Sequence, residues 1–142
     1  EVTVGLKITN ILAATSVLKA GASSHKYHNE GLETKANVNV SQVRLDTEIT
    51  NDIDILKLDL QGYELEALKG TAGVLNKVKL ILVEIEFVPL YENQPLFSDI
   101  DIYMRENGFR LLNFYDLYTH DDGQLTSGDA IYLNNIFFKT IF

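Results

Sequence analysis

Residues 53–88 constrain the fold more than any other stretch. Ile53, Ile55, Leu56, Leu58 and Leu60 give a strand patterned as though covered on both faces. It runs into Asp59, a Gln61-Gly62 turn, and then Leu65, Leu68, Ala72 and Leu75 at helical spacing. That spacing predicts a helix from about Tyr63 to Asn76. The run Val78 to Val88, centred on Leu80-Ile81-Leu82-Val83, predicts the next strand. Strand, helix and strand in this order form a βαβ crossover, so the two strands are parallel.

Other elements arrange themselves around that unit. Val2 to Thr9 alternates partly and predicts a strand; Val38, Val40 and Val43 predict a second, paired antiparallel with the first. Residues 10–34 between them are polar and small, a long loop with a helical turn near Ala14 to Leu18. A helix is expected over Pro95 to Asn107, with Ser98 and Asp101 placed for a capping box and Gly108 placed to stop it. Phe109 to Tyr118, the turn His120-Asp121-Asp122-Gly123, and Asp129 to Phe138 predict a closing antiparallel hairpin. No repeat or linker divides the chain, so residues 1–142 read as a single domain.

Composition excludes several function classes. A net charge of -8 argues against a phosphate-tracking nucleic-acid surface. No segment approaches the ~20 apolar residues of a membrane span, and no basic-then-apolar leader opens the sequence. Cysteine is absent, which removes disulfides and thiolate metal sites and makes a cytoplasmic location the default expectation. Glu1 already stands in a predicted strand and the one methionine is Met104, so the sequence reads as cropped from something longer.

In parallel sheets, ligands bind outside the carboxyl ends of the strands. Here those ends carry Asp59-Leu60-Gln61-Gly62 on one strand and Glu84-Ile85-Glu86 on its neighbour. Glu84 and Glu86, two apart, face the same side. Glu64 in the first helical turn complements the helix dipole. Two readings stand: a gathered acidic site, or strand-end acids that simply meet solvent. Gly62 is explained by the backbone of a tight turn.

Weaker candidates read as structure. His25 and His28 lack a third ligand and suit a surface loop. Thr15-Ser16 and Ser23-Ser24 have no base spaced to activate them and read as solvated hydroxyls. Tyr91, Tyr115 and Tyr118 read as core or rim aromatics, and no glycine-rich phosphate loop follows any strand.

The runs IDILKLDLQGYELEALKGTAGVL and VKLILVEIEFVPLYENQPLFSDIDIYMRENGFRLLNFYDL resemble the carboxyl-terminal part of FkbM-family methyltransferases. Lys57, Asp59, Gly62, Glu64, Lys69 and Gly70 match the family's signature; Gln61 stands where Glu is commonest. Asn10 with Thr15-Ser16-Val17-Leu18, and Val43-Arg44-Leu45-Asp46, resemble further family segments. The resemblance implies an α/β fold, a partial Rossmann-like class I methyltransferase sheet with a parallel βαβ core, a carboxyl-terminal antiparallel hairpin and an amino-terminal strand pair. It implies S-adenosylmethionine as cofactor and O-methylation of a sugar or other small-molecule hydroxyl. Asp59, Glu64 and Glu84 are then the candidate catalytic residues, and Asp59, Gln61 and Gly62 the candidate cofactor contacts.

The family's glycine-rich cofactor loop belongs to the first half of its domain, to which nothing in these residues corresponds. The edge of the strand ending at Asp59 is therefore expected to be open. Either an amino-terminal segment or a second subunit would cover it. A non-catalytic binding or dimerisation module is the alternative reading. A third places Mg²⁺ on Asp59 and Glu84.

Overall fold

The computed structural model describes residues 2–27 and 32–139. His28, and with it the His25–His28 pair, lies outside them. Two sheets form. β1 (Val2–Thr9) pairs antiparallel with β2 (Thr34–Gln42), as the alternation predicts. The larger sheet contains β3 (Ile53–Leu58), β4 (Val78–Glu86), β5 (Phe109–Thr119) and β6 (Leu125–Asn134), in the order β3-β4-β6-β5. β3 and β4 are parallel, from Ile53 opposite Val78 to Leu58 opposite Val83. β6 runs antiparallel to both β4 and β5. The fold is thus mixed α/β, with the expected parallel pair, closing hairpin and amino-terminal strand pair.

Among the described residues four short helices accompany the sheets: α1 (Ser24–Tyr27), α2 (Leu45–Glu48), α3 (Glu64–Lys69) and α4 (Phe97–Glu106). The helix expected over 63–76 ends at Lys69. Thr71 Oγ1 bonds back to the Leu68 carbonyl, and the backbone goes on through turns and a 3-10 segment, Leu75–Lys77. Periodic apolar spacing therefore continued past the end of the helix, because Leu75 still reaches the core from the turn. The turn near Ala14 is a single 3-10 turn, Leu12–Ala14. At α4, Asp99 rather than Ser98 does the capping: the Leu96 N–H donates to Asp99 Oδ2 at 2.9 Å. Asp101 is taken up by Arg105 and by the Tyr132 hydroxyl.

Two further expectations need correction. β6 begins at Leu125 and ends at Asn134, four residues earlier at each end than the apolar run suggested. Asn134 stops it by turning inward: its Nδ2 donates to the carbonyls of Leu75 and Val78, and its Oδ1 accepts from the Ile136 N–H. β3 is not covered on both faces. Among the described residues it is an edge strand, and Ile55 is 64% exposed.

The core lies on one face of the larger sheet, where Leu58, Ile81, Val83, Ile85 and Tyr132 pack against Leu68, Ile100 and Met104 of the helices. A second, smaller cluster of Ala14, Leu32, Leu90 and Tyr91 joins the amino-terminal segment to the loop after β4. That second cluster positions the site, because it presses residues 11–18 against the carboxyl ends of β3 and β4.

Candidate functional site

β3 stops at Leu58 because the next residues must reverse direction. Gln61 has φ 52 and Gly62 φ 93, both in the left-handed region. A Cβ at Gly62 would sit 3.0–3.2 Å from Tyr91, Leu18 and Gln94, so the turn needs glycine for space as well as conformation. Glu64 holds this turn from inside. Its Oε1 accepts from the Leu60 N–H at 2.7 Å, and its side chain is buried, which raises its carboxyl above the ordinary range.

Gln61 is the hub. Its Nε2 donates to Asp59 Oδ1 at 3.1 Å and to Glu84 Oε2 at 2.9 Å, so one amide bridges the ends of the two parallel strands. Its Oε1 accepts from the Tyr91 hydroxyl at 3.1 Å, which fixes the orientation of the amide. Its backbone carbonyl accepts from Ser16 Oγ at 2.7 Å. Ser16 is 1% exposed, not the solvated hydroxyl expected from its loop. The same hydroxyl lies 3.1 Å from the Ala14 carbonyl, so its one proton is shared between the two acceptors and ties the amino-terminal segment to the same turn.

The acids differ in charge. Lys57 beside Asp59, at 3.0 Å, holds that carboxyl below its usual range. Burial, then the Asp59 charge, pushes Glu84 up to about 8. Burial, then the Glu84 charge, pushes Glu86 up to about 9. Glu86 is 5% exposed, and its Oε2 has no hydrogen-bond partner.

A cleft of about 420 Å³ opens beside these groups. Gln61, Glu84 and Glu86 form one wall, Ile11, Ala13 and Ala14 another, and Tyr27, Tyr118, Thr126 and Ser127 close it. Of the residues singled out in the sequence, Gln61 and Glu84 line this cleft. Asp59 reaches it through Gln61, Glu64 is turned into the protein, and Gly62 lines a second hollow with Leu18, Tyr63 and Gln94. Glu86 was placed on the Glu84 face by its two-residue spacing, but nothing local signalled its burial. Ser16 stands in a segment that resembles the family and Tyr91 reads as a core or rim aromatic, but nothing local shows that either bonds Gln61, since that partner lies 45 and 30 residues away. No group of three or more His, Cys, Asp or Glu suited to a metal ion occurs among the described residues. An amide nitrogen stands between Asp59 and Glu84 where the Mg²⁺ reading placed an ion.

A family model described as the methyltransferase FkbM domain matches residues 4–111. No curated protein matches the chain. Among solved structures, the magnesium protoporphyrin IX methyltransferase (ChlM) from Synechocystis PCC 6803, with bound SAM, is similar over 63% of this chain and 42% of that one, at 14% identity and a TM-score of 0.46.

Proposed function

The chain belongs to the FkbM methyltransferase family, and from that premise we propose that the cleft serves S-adenosylmethionine-dependent methyl transfer to a hydroxyl of a small molecule. The observation that carries the reading is the Gln61 bridge. One side chain joins the strand-end acids Asp59 and Glu84 at the mouth of a cleft large enough for a small acceptor.

The residues fit a cationic cofactor. Asp59 is charged, Glu84 and Glu86 lie beyond it, and among the described residues no Lys or Arg lines the cleft. Asp59 and Gln61 would lie against the cofactor, which supplies a methyl group carried on a sulfonium, whereas Gly62 faces the second hollow and serves the turn. Glu84 takes the proton that the acceptor hydroxyl gives up. Its raised pKa makes it a stronger base than an ordinary carboxylate, with titration close to working pH. Gln61 holds Glu84 in place by bonding to it and to Asp59 together. Glu64 acts one step back, by fixing the Leu60 N–H and so the turn that carries Gln61.

The test is transfer of a labelled methyl group from S-adenosylmethionine to a panel of hydroxyl compounds. Glu84→Gln should lower the rate by about 10²–10⁴-fold, the range for a lost general base. An unchanged rate in that variant would remove Glu84 from the chemistry.

A binding or dimerisation module is favoured by one observation, the open β3 edge with its exposed Ile55. Sedimentation at several concentrations separates the two: a dimer weakened by Ile55→Lys, without methyl transfer, supports the module.

A further inference from the structure

The cleft contains a polar atom that the fold leaves unsatisfied. Glu86 lines it, is 5% exposed, and its Oε2 is buried without a hydrogen-bond partner. Such an atom costs about 1–3 kcal/mol, so its presence asks for a partner that the described residues do not supply.

The charges around it narrow what that partner is. Glu84 on the same face of β4 and Glu64 behind the turn both act on Glu86. Asp59 and Asp129 act on Glu84 in turn. Among the described residues, the phenols of Tyr91, Tyr27 and Tyr118 are further titratable groups around the cleft. Lys57 is engaged by Asp59. An anionic ligand would be desolvated in a cleft whose described lining offers it no cation to pair with. A hydroxyl group offers both a donor and an acceptor, so it satisfies a carboxyl in either protonation state. Ser127 and Tyr118 add further hydroxyls, and Ala14 and Leu90 give apolar surface for a carbon skeleton.

We propose that Glu86 is a specificity residue of this cleft: it hydrogen-bonds one hydroxyl of an uncharged polyhydroxyl acceptor beside the hydroxyl presented to Glu84, and the cleft discriminates against acceptors that carry phosphate or carboxylate. The inference rests on the reading of the cleft as the acceptor site. Burial, which keeps Glu86 neutral at pH 7, supports it, because a neutral acid donates as well as accepts.

The experiment needs no cofactor. Amide shifts of the protein are followed at pH 7 during titration with methyl glucoside, methyl glucuronide and methyl glucosaminide. The glucoside should shift the amides of Glu84, Glu86 and Ser127 saturably, and the glucuronide should bind about tenfold or more weakly. Glu86→Leu should weaken glucoside binding by about tenfold, whereas Glu86→Gln, which keeps a donor and an acceptor, should stay within about threefold.

Equal binding of glucoside and glucuronide, undiminished binding by Glu86→Leu, or no response of these amides to any glycoside would each overturn the proposal. So would tightest binding of the glucosaminide with its loss in Glu86→Gln, since Glu86 would then be an anion pairing with a cation. Methyl transfer does not enter this readout. Failure here therefore leaves the methyltransferase reading standing, and failure of the Glu84→Gln rate test leaves the binding result intact.

Discussion

Replacing Glu86 by Gln removes an ionisable group from a buried place while keeping its size. In the folded protein, burial and then Glu84 lift this carboxyl from its ordinary 4.5 to about 9. Between those values the native state holds a proton that the unfolded chain has released. Native stability therefore falls as pH rises from about 4.5, and the loss levels off above about 9. From pH 4.5 to pH 7 the loss from this one group is about 3 kcal/mol. The Gln variant carries no such slope. Its own packing offset is the same at every pH, so the difference between pH values is the quantity to read. Urea unfolding of both proteins at pH 4.5, 7 and 8.5 measures it. The variant should gain on the wild type by about 3 kcal/mol between the first two and by more at the third. Parallel stability curves would show that Glu86 is ionised in the folded protein, and the reasoning from burial would be wrong.

Three more outcomes are expected. Gly62→Ala should destabilise by about 1–3 kcal/mol in urea unfolding, since a Cβ there meets Tyr91, Leu18 and Gln94 at a left-handed backbone position. Tyr91→Phe should cost about 1–3 kcal/mol, because the one hydroxyl proton shared by the Ala14 carbonyl and Gln61 Oε1 is lost; a neutral effect would mean the amino-terminal segment is not held by this hydroxyl. The methyl-transfer rate should rise with pH and flatten above about 8, as Glu84 loses its proton, and the same rise should be missing in Glu84→Gln.

The parallel unit was legible because its strands and helix each carried an unbroken local signal. Leu80-Ile81-Leu82-Val83 is a buried strand in any sequence, and two such strands flanking a helix leave few topologies. The strand-end acids were legible for the same reason: once the strands are parallel, Asp59 and Glu84 must emerge at one end. What could not be read depended on distant partners. Nothing near Ser16 or Tyr91 indicates that both would close on Gln61, and nothing in the apolar pattern of β3, whose open edge was expected, shows that Ile55 stays exposed. The helix after Gly62 was overextended because Leu75 reaches the core from a turn, at a spacing that a helix would also give.

The state of one carboxyl at the meeting point of two strands decides between a working base and a solvated rim. Carbon-13 titration of the Glu84 side chain measures it directly. A midpoint near 8, falling when Asp59 is replaced by Asn, is the predicted result. A midpoint near the ordinary 4.5, unmoved by that replacement, would contradict the shared cleft on which the proposed chemistry rests.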